Sequence, residues 1–296
     1  MRPTRAAVLA ERGLLRLGGE DRIAFLQGLV SNDVAPAGEH RAVYAAFLTP
    51  QGKFLHDLFI AGIGEALFLD CEAWRRDDLL QRLMRHRLRS RIEITDVTET
   101  LAVAVAFDGE ETASEQPGAA KPFGGGIAYA DPRVAAAGWR FVLPRAEAIA
   151  DLQRAGFELV EPIAYDRWRL ALGLPDGSRD IAVDKDVLLE CGFEELNGVD
   201  WRKGCYLGQE VTARTKYRGL VKKRLLPVEL TGPAPASGTP ILLAGREVGE
   251  IRSASGDLAM AMLRLDGLAA AAGDEEGALT AGDARLTPRM PAWMRL

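Results

Sequence analysis

The sequence predicts an α+β fold that ends in a small all-β unit, on three observations. Up to Gly219, helical and strand-like periods are mixed without the strict alternation of a doubly wound sheet. After Gly219 only short strands remain, split by glycine and proline turns, as in a small barrel or sandwich. No internal repeat is visible, and 296 residues suffice for one large or two to three small domains.

The elements follow in order. Gly13–Leu17 reads as a strand, followed by a helix from Asp21, a candidate N-cap, to Val30. Ile23, Leu26, Leu29 and Val30 share its apolar face, and Ser31-Asn32-Asp33 suits a turn. Strands are expected at Val43–Leu48, Phe54–Ile60 and Ala66–Asp70, with Pro50-Gln51-Gly52 turning between the first two. Trp74–Arg89 reads as a helix with Leu79, Leu80, Leu83 and Leu88 on one stripe. Its arginines form either a solvated basic face or a contact with an anionic partner such as RNA. Strands at Arg91–Thr95 and Leu101–Phe107 precede a Gly-, Glu-, Pro- and Ala-rich stretch, Asp108–Gly126, that reads as a surface loop. Then come a strand at Trp139–Leu143 and helices at Ala146–Ala155 and Ile163–Leu172, the last stopped by Gly173. The terminal strands are Leu225–Leu230, Ile241–Leu243, Glu247–Ile251, Leu258–Leu263 and Ala284–Thr287.

Composition excludes several classes. Hydrophobic content of 48% and charged content of 27% are ordinary for a globular chain. A net charge of −5 argues against a general nucleic-acid binder. Cys71, Cys191 and Cys205 form neither a disulfide framework nor a paired zinc-ligand pattern, and His40, His56 and His86 lack metal-ligand spacing. No metal site is expected. No secretory signal and no apolar run of membrane-spanning length stands out. A reducing compartment, the bacterial cytoplasm, is therefore the expected location.

The chemistry concentrates in Lys203-Gly204-Cys205-Tyr206-Leu207-Gly208-Gln209-Glu210. A helix is expected from Gln209 to Arg218, capped by Gly219, with Glu210 early and Arg214, Lys216 and Arg218 late, as the macrodipole favours. Cys205 then lies near a helix N-terminus and two residues from Lys203, and both effects activate a thiol. The alternative is a small buried hydrophobe. Cys71 and Cys191, in apolar surroundings, read as structural. No Walker loop, dinucleotide fingerprint or nucleophile elbow is present.

This segment resembles the signature of the YgfZ-type folate-binding proteins, relatives of the glycine-cleavage T-protein, an aminomethyltransferase. The likeness runs on through Val211-Thr212-Ala213-Arg214, Tyr217-Arg218-Gly219 and Lys222-Lys223-Arg224. Upstream it takes in Leu196–Trp201, Phe25–Val34, Pro50-Gln51-Gly52 and His56-Asp57-Leu58. Thr212–Thr215 looks most like the mitochondrial and alphaproteobacterial branch. The resemblance implies a three-lobed T-protein-like ring, two ferredoxin-like lobes plus a C-terminal β-barrel, around a folate cavity. On that basis the lobes are residues 1–45 with 155–218, then 46–154, and the barrel 219–296.

The resemblance also implies a tetrahydrofolate-binding accessory factor for assembly or repair of four-iron four-sulfur proteins. Its partners would be folate and assembly or client proteins. Cys205 is the implied reactive residue, with Asp57 facing the folate N5 or N10 region. Asn32 and Asp33 either bond the pterin or cap the preceding helix. Arg167 and Arg169 either meet the glutamate tail of folate or are ordinary cations. Two departures count against the aminomethyl-transferase alternative. His56-Asp57 stands where the T-protein has Asp-Asp, and Ala171 stands where it has the glutamate that bonds the pterin. An RNA-binding or RNA-modifying role, resting on Arg75–Arg89 and Lys222-Lys223-Arg224, is the third alternative.

Overall fold

The structure, a computed structural model, describes residues 4–109, 115–272 and 278–295. Its elements are β1 (Arg5–Val8), β2 (Arg12–Gly18), α1 (Arg22–Gln27), β3 (Val43–Leu48), β4 (Phe54–Ile63), β5 (Ala66–Glu72), α2 (Arg76–His86) and β6 (Glu93–Asp96). There follow β7 (Leu101–Phe107), β8 (Ala120–Phe123), β9 (Gly126–Ala130), β10 (Trp139–Pro144), α3 (Ala148–Arg154), β11 (Glu158–Leu159), α4 (Pro162–Leu172) and α5 (Gly177–Asp180). The chain closes with α6 (Gln209–Tyr217), β12 (Lys223–Thr231), β13 (Pro240–Leu243), β14 (Arg246–Ser255), β15 (Leu258–Arg264), α7 (Leu265–Ala272), β16 (Leu279–Ala281) and β17 (Ala284–Pro288).

These strands form two open sheets and a barrel. One sheet runs β3-β4-β5-β2-β6, the other β11-β1-β7-β10-β9-β8, and β12-β15-β14-β13-β16-β17 closes on itself. The three lobes share one core. Leu14, Tyr44 and Phe59 of the first sheet meet Val103, Tyr129 and Val142 of the second, and Leu225, Met260 and Met262 of the barrel. The opposite face of the five-stranded sheet packs Leu15, Leu17, Leu58 and Ile60 against Leu26 of α1 and Leu79 and Leu83 of α2. The period of two along β4 therefore sends Asp57 and Phe59 toward the junction of lobes, and His56 and Leu58 toward α2.

Four expectations are corrected. β3 begins at Val43, so a lobe boundary at residue 45/46 would cut a strand; the chain instead changes sheet between β1 and β2, and again between β6 and β7. Residues 155–218 supply only β11 to a sheet. Strand pairing decides this, and pairing is not written in local pattern. The second half of the expected Asp108–Gly126 loop is the β8–β9 hairpin. β8 is an edge strand, which tolerates Pro122 and shows little apolar alternation; residues 110–114 lie outside those described. The first helix stops at Gln27 rather than Val30; Asp21 stands at its N-cap position as expected, but its side chain makes no capping bond, since its Oδ2 accepts the Arg91 N–H at 2.7 Å. The second α-helix stops at His86, and Leu88 is exposed rather than part of the apolar stripe.

Candidate functional site

Strand β4 places Asp57 and Phe59 in a cavity of about 190 Å³, which β2 supplies with Arg12, β10 with Arg140, the β9–β10 connection with Arg133 and α4 with Arg169. Burying four guanidinium groups is costly unless each is paired. Asp70 pairs two of them: its Oδ1 accepts Arg12 Nε–H at 2.6 Å, and its Oδ2 accepts Arg140 Nη2–H at 2.5 Å. Arg133 grips Asp131 through Nε and Nη2 at 3.0 and 2.8 Å and donates to Pro175 O at 2.9 Å. Arg169 donates to Asp166, Asp180 and the Ser253 hydroxyl at 2.7, 2.6 and 2.9 Å. The Arg140 and Arg133 guanidiniums lie 3.8 and 4.8 Å from the Phe59 ring centroid, within cation–π range.

Asp57, like Arg140 at its Nε, keeps a buried polar atom without a partner. It is 1% exposed and its Oδ1 has no hydrogen-bond partner. Its Oδ2 meets the Tyr44 hydroxyl at 3.4 Å, and Arg12 Nη1 stands 3.9 Å from the carboxylate. Burial raises its pKa, against the lowering pull of Arg12 and Arg133.

His56 faces away from the cavity. Its Nε2 pairs with Asp78 Oδ2 at 2.9 Å beside α2, and its Nδ1 is buried without a partner. Burial, with Arg75 nearby, lowers its pKa to about 4, so the ring is neutral near pH 7. The imidazole therefore does not replace a second carboxylate in the cavity. Ala171 is not there either. It lines a separate groove between α4, the barrel and Trp293.

The cysteine loop is pinned through its neighbours. Lys203 Nζ donates to Val30 O and Asn32 O at 2.7 and 2.6 Å. Its pKa falls to about 8 because it is largely buried, although Asp33 and Asp200 pull the other way. The cation is thus committed to carbonyls at the end of the first helical segment, which corrects the expectation that it serves the thiol. Asp200 Oδ1 accepts the N–H groups of Arg202 and Lys203 at 2.6 and 2.9 Å. Leu207 N–H donates to Gly28 O at 3.0 Å, and Gln209 Oε1 accepts the Tyr206 N–H at 3.0 Å. Gly208, at φ +81°, is the N-cap of α6, and a Cβ there would come 2.5 Å from Thr49 O. The loop thus seats on the Pro50-Gln51-Gly52 turn. Tyr206 is buried, Glu210 is exposed and bound to Arg214, and Cys205 lies exposed with open space around Gly204. Cys71 and Cys191 are buried; burial pushes the Cys71 thiol up to about 12 and also raises that of Cys191.

The remaining sequence candidates divide. Asn32 and Asp33 line a second cavity of about 380 Å³ with Tyr44, Asn197 and Asp200. Asn32 Nδ2 is already committed to Tyr44 O and Asn197 O at 2.7 Å each, and Asp33 Oδ1 accepts from Gln27 at 2.8 Å. Arg167 leaves the cavity for the barrel, donating to Ser255 O and Asp257 at 3.1 and 2.6 Å. It is thus an inter-lobe tie. The sequence reading missed Arg12, Asp70, Arg133 and Arg140. They come from four separate segments, and no local signal marks them.

Comparison with known proteins adds the following. The profile of the CAF17 C-terminal beta-barrel domain matches residues 222–296. The iron-sulfur cluster assembly factor IBA57, mitochondrial, of Homo sapiens is 34% identical over 275 residues, covering 85% of this chain and 75% of that protein. The chain belongs to the IBA57 family. The Mus musculus protein of the same name is 31% identical over 281 residues, covering 86% of this chain and 75% of its own. Glycine cleavage system aminomethyltransferase T from Bartonella henselae superposes with a TM-score of 0.75 over 97% of this chain and 84% of its own, at 16% identity. That likeness establishes the T-protein fold. The expected bacterial cytoplasmic location is corrected, because these IBA57 relatives, and the Mycosarcoma maydis homologue, are named mitochondrial.

Proposed function

We propose that the chain is an iron–sulfur cluster assembly factor that binds tetrahydrofolate and works through Cys205. Family membership supports assembly, and the relatives' names support a mitochondrial setting for it. The observation that carries the role of Cys205 is an exposed thiol on a loop anchored on both sides, with nothing crowding Gly204. Such a thiol meets a partner's cluster or thiol without rearrangement. One cysteine does not complete a four-thiolate site, so any cluster carried there takes its other ligands from a partner.

The cavity fits a folate head group. Asp57 Oδ1 is a buried acceptor without a donor, and an aminopyrimidine edge supplies N–H donors. At about 190 Å³ the cavity lies below the roughly 300–1,000 Å³ that encloses a whole ligand of this kind, so the aminobenzoyl-glutamate would lie outside it. Arg179, 35% exposed and paired with Asp166 and Asp176, lines the cavity and is then the cation for the glutamate tail, since Arg167 lies outside the lining. Aminomethyl transfer is disfavoured, because His56 points away from Asp57 and Ala171 lines another groove.

The test is maturation of a four-iron four-sulfur enzyme in cells lacking their own factor. The native chain should restore it. Cys205→Ala should abolish restoration while its unfolding midpoint stays within about 0.5 kcal/mol of native, as for an exposed side chain. Full restoration by Cys205→Ala would remove the thiol from the account.

A further inference from the structure

Helix α2 and the residues that flank it carry large apolar side chains that the fold does not bury. The inner face of the helix is satisfied, with Leu79 and Leu83 fully buried against the five-stranded sheet. Trp74 just before the helix, Met84 in its last turn and Leu88 just after it stand 70%, 42% and 88% exposed. From Leu79 to Ile92 the sequence carries five arginines and no acidic residue, in a chain whose net charge is −5. Arg82 pairs with Asp78, and Arg91 with Glu20 and Asp21. Arg85, Arg87 and Arg89 are exposed and enter no ion pair among the described residues.

Leu88 supplies a second, independent observation. It sits at φ +45°, in the left-handed region. Of the five non-glycine residues there, Asp108, Asp184 and Asn197 are types that tolerate it, Ala244 is small, and Leu88 is the large apolar one. The fold holds a leucine in a disfavoured conformation and gains no burial from it. Strain kept without a structural return marks a functional position.

We propose that this segment, from Trp74 through α2 to Arg89, is a peripheral docking face for an anionic lipid bilayer. Trp74, Met84 and Leu88 enter the interface, and Arg85, Arg87 and Arg89 meet headgroup phosphates. The charge is complementary and spread along the segment, which suits a diffuse anionic surface. Aliphatic tips distinguish it from an RNA site, where Met84 and Leu88 would have no apolar phase to enter.

The experiment is flotation of the full chain with vesicles of phosphatidylcholine containing about 30% phosphatidylglycerol, against phosphatidylcholine alone. Binding is expected only with the anionic vesicles, and it should weaken as salt rises. Leu88→Gly relaxes the backbone, so its unfolding midpoint should be unchanged or higher, yet its vesicle partition should fall about tenfold. Trp74→Ser and the triple change Arg85→Gln, Arg87→Gln, Arg89→Gln should each reduce partition without unfolding the chain. Absence of vesicle binding, equal binding to neutral vesicles, or native partition by Leu88→Gly overturns the proposal. So does steeply salt-dependent binding of single-stranded RNA without vesicle binding, which would assign the segment to nucleic acid.

Discussion

Asp57 lies on a central strand, buried among arginines, whereas Cys205 lies exposed on a loop held only through its neighbours. The cavity is rigid because each of its four buried guanidiniums has a carboxylate partner. The loop is positioned because backbone groups and one lysine fasten it to a helix end and a turn. Interior chemistry thus rests on charge pairing, and surface chemistry on backbone geometry. Tyr44 lies between the two regions, with its hydroxyl at Asp57 and its backbone oxygen on Asn32, whose own carbonyl accepts Lys203.

The contrast breaks most sharply at Asp70. Asp70→Asn leaves Arg12 and Arg140 buried with a weakened partner and should cost about 3–5 kcal/mol in denaturant unfolding. A cost near zero would mean that the arginines are not held by charge pairing.

The second largest effect is a pH dependence. His56 has a folded pKa near 4, below its unfolded value, so below about pH 6.5 the unfolded chain binds a proton that the folded chain refuses. Stability is therefore lost as pH falls from about 6.5 toward 4, by about 3 kcal/mol relative to a His56→Leu variant. Parallel stability curves for the two proteins over that range would contradict the buried neutral ring.

The loop should respond to backbone change instead. Gly208→Ala places a Cβ against Thr49 O at a positive φ and should cost about 1–3 kcal/mol. It should also slow Cys205 alkylation or expose the loop to protease. A neutral result would show that Gly208 does not set the loop.

Much of the cysteine loop was legible in the sequence, because its features are local. Gly208 and Gly219 mark the ends of α6, and the charges of Glu210 and Arg214 follow the helix dipole. The barrel strands were legible for the same reason, although α7 and β16 escaped notice. The cavity was not legible. Arg12, Asp70, Arg133 and Arg140 meet only after two sheets and a barrel converge, and each reads alone as an ordinary surface charge. Lys203 shows the limit of adjacency, since two residues from Cys205 its ammonium is bound to carbonyls instead.

The most direct test of a folate cavity distinct from the thiol is calorimetric titration with tetrahydrofolate of native protein, Asp57→Asn and Cys205→Ala. Native affinity is expected for Cys205→Ala and at least a tenfold loss, about 1.4 kcal/mol, for Asp57→Asn. Native affinity in Asp57→Asn, or binding lost in Cys205→Ala, would contradict a folate cavity distinct from the thiol.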